Sequence, residues 1–172
     1  MYAIREATPD DVQGVVALMR PYMLETYHDA WRGTVPGLLK DGFGVHFRTL
    51  LASLEAQPVG ILAWEKSYDL HHGLTGGHIL DLYVVPQHRF RGVAVQLILK
   101  ASRIIHAGGG AYIKGGGVDT GTGARLYGRF AMAFGNDYIL GGRAFRHLAT
   151  LPELSIRQLV RSMPEKQWNF EP

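Results

Sequence analysis

Near the middle of the chain, the run Leu82-Tyr83-Val84-Val85-Pro86-Gln87-His88-Arg89-Phe90-Arg91-Gly92-Val93-Ala94-Val95-Gln96-Leu97 joins an apolar, β-prone stretch to one with helical spacing. That joint can do chemistry. A helix start presents unpaired backbone N–H groups and the positive end of the helix dipole, and small residues at Gly92 and Ala94 let a ligand come close to the backbone. Arg89 and Arg91 add positive charge at the same place. Donors converging on one helix end suit a compact pyrophosphate better than the long backbone of a nucleic acid. The spacing is neither the Gly-x-Gly-x-x-Gly of a dinucleotide fold nor the Gly-Lys-Ser/Thr of a P-loop, so neither dinucleotide binding nor NTP hydrolysis is expected.

Around this segment the sequence predicts the elements that must hold it. Tyr2 to Ala7 alternates as a strand, and Thr8-Pro9-Asp10-Asp11 caps a helix that starts near Pro9, buries Val12, Val15, Val16 and Met19, and meets an interruption or kink at Pro21. Tyr22 to Gly44 is irregular and aromatic, with a short helix at Leu38 to Asp41, the kind of segment that borders a site. His46 to Leu54 and Val59 to Tyr68 form a hairpin turning at Glu55 to Pro58, and the buried strand Ile79 to Val85 follows a connection at His71 to Gly77. Val93, Leu97, Ile98, Ala101 and Ile105 mark a helix stopped by Gly108-Gly109-Gly110. Beyond it a strand is expected at Ala111 to Val118, a helix at Thr122 to Phe134, and one or two strands from Tyr138 to Leu148 bent by Gly141-Gly142. A tail from about residue 151 carries a helix around Pro152 to Met163. The order β, α, β, β, β, α, β, α, β implies an α/β (α+β) fold, with a mixed, mostly antiparallel central sheet flanked by helices, in one domain over 1–172.

Composition narrows the classes. The chain has 172 residues, 47% of them hydrophobic and 19% charged, the balance of an ordinary globular core. No apolar run is long enough to span a membrane and the first ten residues lack a secretory layout, so a membrane association is not expected. The absence of cysteine excludes disulfides, a thiol nucleophile and Cys-ligated zinc, and it suits a reducing compartment such as the cytoplasm. Residues 1–85 hold 6 Lys/Arg against 10 Asp/Glu, while residues 86–147 hold 9 against 2. The basic half suggests an anionic partner, and the acidic half would attract a cation. His71, His72, His78 and His88 show no metal-ligand spacing, so no metal is expected.

Arg89-Phe90-Arg91-Gly92-Val93-Ala94, placed after Leu82-Tyr83-Val84-Val85-Pro86, resembles the signature Arg/Gln-x-x-Gly-x-Gly/Ala of the GNAT superfamily of N-acetyltransferases. The similarity runs from about Tyr2 to Leu148 and includes the opening Ile4-Arg5-Glu6-Ala7-Thr8-Pro9-Asp10-Asp11. It implies that the turn wraps the pyrophosphate of acetyl-CoA, with Val84, Val85, Arg89, Phe90, Arg91, Gly92, Val93 and Ala94 on the cofactor and the main chain of Val84 bonding the pantetheine arm. Leu126-Tyr127 is similar to the family's Leu-Tyr pair, which makes Tyr127 the hydroxyl beside the CoA sulfur. Thr120 stands where many members have a cofactor-binding Asn, Phe90 where Gly is common, and the usual Gly-Phe after the helix is missing.

Some relatives carry Glu-Asp where this chain has Leu80-Asp81, so only the aspartate is kept. An ammonium substrate must lose a proton, and Asp81, Glu65 and His78 are the candidate acceptors. Strand alternation puts Asp81 with Ile79 and Tyr83, opposite His78 and Leu80. Asp81 ranks first, and its other reading is a structural carboxylate paired with an Arg or a backbone amide. The expected activity is acetyl transfer from acetyl-CoA to a primary amine of a small molecule or peptide by direct attack, with a non-catalytic CoA- or acyl-CoA-binding module as the alternative. A nucleic-acid partner is not expected, and the apolar stripe Ile156, Leu159 and Val160 could pack on its own domain or on a second subunit, with a homodimer as the expectation.

Overall fold

A hairpin built to be covered on both faces sets the architecture. In the computed structural model, which describes residues 1–116, 127–128, 131–134, 137–152 and 156–163, strand β2 (Arg48–Leu54) pairs antiparallel with β3 (Gln57–Asp69) in the register Leu50↔Leu62 and Leu51↔Ile61. All four of these leucines and isoleucines are buried, although neighbours along a strand point to opposite faces. Such a strand reads as a continuous apolar run rather than an alternation. Strand β1 (Ala3–Glu6) adds antiparallel to the outer edge of β2, from Ala3↔Ser53 to Glu6↔Leu50.

By backbone contacts the chain divides into two compact units, Met1–Glu65 with Asp81–Ile98, and Lys66–Leu80 with Leu99–Pro172. In the first unit, a 3-10 turn at Pro9–Asp11 leads into helix α1 (Val12–Tyr27), which lays Val15, Leu18 and Tyr22 on Leu51, Ile61 and Tyr83. Pro21 does not end α1. Leu18 and Tyr22 are buried on either side of it, so core packing holds both halves of a helix that has lost one N–H. Helix α2 spans Val35–Asp41, three residues longer than expected, with the Thr34 hydroxyl accepting the Gly37 amide as its cap.

Strand β4 (Leu74–Val84) begins earlier than the sequence suggests, because the turn from β3 occupies only the few residues after Asp69. Helix α3 (Val93–Ala107) follows a second 3-10 turn at Pro86–His88. Its first turn packs down on β3 at Gly60, where an added Cβ would lie 3.2 Å from Val93 and 3.4 Å from Leu97.

In the second unit, the first part of β4 pairs parallel with β5 (Tyr112–Gly116) from Gly77↔Ile113 to Ile79↔Gly115. Gly76 is pressed so close to Tyr112 that a Cβ would fall 2.6 Å from both its ring and its carbonyl. Strands β6 (Met132–Phe134) and β7 (Asp137–Gly141) form an antiparallel hairpin beside β5, and the seven-stranded sheet has the order β1-β2-β3-β4-β5-β7-β6. The expected mixed sheet flanked by helices is therefore present.

Two local expectations are corrected. The helix expected over Thr122 to Phe134 does not reach its end, since Met132–Phe134 pairs as a strand with Asp137–Ile139; Tyr127 and Gly128 are helical. The stretch expected as bent strands instead passes from β7 into helix α4 (Gly142–Thr150), which buries Ala144, Phe145, Leu148 and Ala149 at helical spacing. Gly142, at φ 54°, turns the strand into the helix rather than bending it. Helix α5 (Ile156–Ser162) places Leu159 in the interior of its own chain, so that side chain is not offered to a second subunit.

Candidate functional site

The turn between β4 and α3 lies wholly in the first unit and is pinned at both ends. On the strand side, the Val85 amide bonds the Val59 carbonyl at 3.0 Å. His88 meets Tyr2 through Nδ1 and the Tyr2 hydroxyl at 3.0 Å, with their rings edge to face at 5.7 Å. The His88 and Arg89 amides close the 3-10 turn on the Val85 and Pro86 carbonyls, at 2.9 and 3.2 Å. On the helix side, the first bond is Gln96 N–H to the Gly92 carbonyl at 3.0 Å. Between these anchors the amides of Phe90, Arg91, Gly92, Val93, Ala94 and Val95 make no hydrogen bond among the described residues.

Two residues in the turn adopt left-handed backbone, Phe90 at φ 61° and Gly92 at φ 83°. Gly92 does so freely, and among the described residues a Cβ there would meet nothing nearer than Gln96 Nε2 at 4.0 Å, which leaves space above the turn. Phe90 carries the conformation at a cost of roughly 1–2 kcal/mol, which explains why glycine is common at this position in the resembling motif. Its ring packs on little and is 81% exposed.

The two arginines behave differently. Arg91 is exposed and has no ionic or hydrogen-bond partner among the described residues. Arg89 folds back on its own strand and is fully engaged. Its Nε donates to the Val84 carbonyl at 2.8 Å, and its two terminal nitrogens meet both oxygens of Glu25 at 2.6 and 2.8 Å. The guanidinium also lies 5.5 Å from the centre of the Tyr83 ring, and the Tyr83 hydroxyl donates to Glu25 at 3.3 Å. Hydrogen bonding from Arg89 holds the Glu25 carboxyl below the usual carboxylate range, while burial, then Glu25, pushes the Tyr83 phenol up. Sequence reasoning missed Glu25 and Tyr83. Local sequence offers no signal for the pair, since Glu25 lies in the stretch after Pro21 that reads as irregular.

Asp81 is half-buried on β4 beside Tyr22. The Tyr22 phenol is pushed far above its ordinary range, first by burial, then by the Tyr27 hydroxyl, and then by the charge and hydrogen bonding of Asp81. Tyr22 stands at the centre of an aromatic group, 5.9 Å from Tyr27 and 5.4 Å from Tyr83 by ring centres. The structure thus gathers Asp81, Val84, Val85 and the whole Arg89–Ala94 turn in one unit. Tyr127 belongs to the other unit, half-buried with its ring 5.7 Å from Tyr138, and burial pushes its phenol up to about 12. Thr120 lies outside the described residues.

His71 and His72 serve a turn, whereas His78 lies on β4. Asp69 accepts the His71 and His72 amides at 2.9 and 3.2 Å and pairs with His72 Nδ1 at 2.7 Å, which lowers its carboxyl pKa. Among the described residues, no three His, Cys, Asp or Glu are placed to hold a metal, and no helix is long and apolar enough to cross a membrane.

Comparison with solved structures decides the fold family. The chain is similar to the ribosomal-protein-alanine N-acetyltransferase of Brucella melitensis biovar Abortus 2308, at 18% identity over 78% of this chain and 94% of that one, with a TM-score of 0.66. It is similar to the PaiA N-acetyltransferase of Thermoplasma acidophilum, solved with coenzyme A, at 16% identity over 81% and 96%, with a TM-score of 0.62. An aminoglycoside acetyltransferase, HMB0005, from an uncultured soil metagenomic sample matches at 22% identity over 70% and 82%, with a TM-score of 0.61. The fold is that of the GNAT acetyltransferases. No protein-family model and no curated protein matches the chain by sequence. In this GNAT fold the strand–turn–helix with the free amides is the joint read from Arg89 to Ala94.

Proposed function

We propose that the protein is an acetyl-CoA-dependent N-acetyltransferase acting on a primary amine of a small molecule or peptide. The observation that carries this reading is the row of unbonded amides from Phe90 to Val95 beside the unpaired Arg91, at the start of a buried helix in a GNAT fold. Those donors fit a pyrophosphate, and the open space above Gly92 leaves room for it. A neighbour solved with coenzyme A supports the choice of cofactor. The Val84 and Val85 backbone then lines the pantetheine arm, and Thr120 is assigned to the cofactor by resemblance alone.

The chemistry is a direct transfer. The amine nitrogen attacks the thioester carbonyl, a C–N bond forms, the C–S bond breaks, and the thiolate leaves. The ammonium first gives a proton to Asp81 or to a water beside it, which frees the attacking lone pair. The Tyr127 hydroxyl protonates the leaving thiolate, and the second proton, shed by nitrogen once the C–N bond forms, reprotonates the phenolate through solvent. A phenol raised by burial stays protonated throughout the neutral range, as a proton donor must. No cysteine is available to carry the acetyl group, so a covalent enzyme intermediate on sulfur is not part of the scheme.

A second reading, a CoA- or acyl-CoA-binding module without turnover, is favoured by Leu80. It stands 40% exposed where some relatives carry the first acid of the pair, leaving Asp81 alone. Titrating the purified protein with acetyl-CoA by calorimetry, then following free thiol with spermidine, kanamycin and an alanine-initiated peptide, separates the two. Binding with amine-dependent thiol release supports the enzyme, binding without release supports the module, and no binding overturns both.

A further inference from the structure

We propose that Glu25 and the pyrophosphate of the cofactor compete for one guanidinium, so that Arg89 is held by Glu25 in the empty protein and handed to the phosphates on binding. The inference rests on the acetyl-CoA reading and goes past it. It names a residue outside the turn, on α1, as the one that sets cofactor affinity.

The seat that holds Arg89 is complete for a cation. It offers both oxygens of a carboxylate at 2.6 and 2.8 Å, a main-chain carbonyl at 2.8 Å and an aromatic face at 5.5 Å. A guanidinium so placed is neutralised by its own chain, which leaves Arg91 as the one unpaired cation on a turn suited to a doubly charged group. Phosphate is the other partner that a guanidinium fork matches with two parallel hydrogen bonds, and the pyrophosphate as a whole carries two charges against the one of a carboxylate. The exchange is feasible because the pair is not sealed in, with the Arg89 and Glu25 side chains 34% and 42% exposed. Water and ions screen such a pair, so breaking it costs little. After the exchange Glu25 is not stranded, since it keeps the Tyr83 hydroxyl and water. The Arg89 backbone adjoins the free amide of Phe90, so a guanidinium released by Glu25 starts beside the donors proposed to hold the phosphates.

A double-mutant cycle on coenzyme A affinity tests the exchange, read by calorimetry on wild type, Glu25→Gln, Arg89→Gln and the double variant. Glu25→Gln is expected to tighten coenzyme A about 3- to 10-fold. Arg89→Gln should weaken it, and the double variant should match Arg89→Gln alone. Pantetheine, which has no phosphate, should bind wild type and Glu25→Gln equally. In ¹⁵N-arginine spectra, the Nε–H signal that disappears in Arg89→Gln should shift with coenzyme A and stay put with pantetheine. Glu25→Asp provides a charge-conserving check, because its shorter arm cannot span the fork and should also tighten binding.

Weaker binding by Glu25→Gln would overturn the proposal, for the pair would then be a tether that shapes the turn. Tightening that persists undiminished in the Arg89→Gln background would overturn it too, since only the field of a removed charge would be at work. Both outcomes leave the acetyl-CoA reading intact, whereas wild-type protein that takes no coenzyme A removes that reading and the exchange together.

Discussion

The two units differ in how they spend charge. Among the described residues, the first unit holds seven Lys/Arg against nine Asp/Glu, and the second holds eight against two. Yet the turn proposed to hold the pyrophosphate sits in the first unit, the acidic one. Most of the first unit's cations are consumed at home, Arg5 by Asp11, Arg48 by Glu6, Arg32 by Asp29 and Arg89 by Glu25. Arg91, like Arg20, has no such partner, and what distinguishes it is its place beside the unbonded amides of the turn. The proposed anion site thus draws on one uncommitted cation beside oriented amides, and not on the surplus of arginine in the other unit.

The largest expected effect concerns the second unit's contribution to chemistry. Tyr127→Phe should lower the rate of thiol release by about 10²-fold or more while coenzyme A affinity stays within twofold, as expected for loss of a proton donor. Equal losses in rate and binding would mean that the phenol shapes the cofactor site instead. Next, Arg91→Glu should weaken coenzyme A by on the order of 10- to 100-fold, whereas Arg157→Glu, the same charge change on an exposed residue of the second unit, should leave calorimetric affinity unchanged. If Arg157→Glu were as damaging, the long-range field of the basic unit would be doing the work of the turn.

Packing gives a third contrast. Gly76 in the second unit faces a tyrosine ring and a backbone carbonyl at 2.6 Å, while Gly60 in the first faces mostly methyl groups at 3.2 and 3.4 Å. Gly76→Ala should cost about 2–3 kcal/mol and Gly60→Ala about 1 kcal/mol or less, measured by urea midpoints. The smallest effect belongs to the Arg5–Asp11 pair. Arg5 first, then the Thr8 amide and hydroxyl, lower the Asp11 carboxyl pKa in the folded state. Its stabilisation is present above the unfolded value near 3.9 and is lost as pH falls below it. Because Arg5 is 57% exposed, the loss should be only about 0.5–1 kcal/mol, and it should vanish in Asp11→Asn when stability is followed from pH 5 to pH 2.5.

The sequence was most legible where one short stretch carries its own meaning. The β4–turn–α3 joint, the β2–β3 hairpin and the stop at Gly108 are all local patterns, and each is in the structure. Gly141-Gly142 misled because two glycines bend a strand or start a helix equally well, and only the burial of Phe145 and Leu148 selects the helix. The double engagement of Arg89 was invisible for a different reason. Its partner is 64 residues away on α1, and no local rule couples an acid at one helix end to an arginine after a strand. Both arginines of the motif look alike in sequence, and only the fold shows which one is already spoken for.

Phe90 has one further use. Its backbone already bears the left-handed conformation and its ring touches little, so replacing it with another large aromatic changes neither the strain nor the packing. A tryptophan at that position would place a fluorophore on the rim of the proposed pyrophosphate turn at almost no thermodynamic cost. The chain's three native tryptophans would supply a background against which its quenching or blue shift could be followed. The residue that departs most from the motif is thus the natural place from which to watch the turn fill in real time.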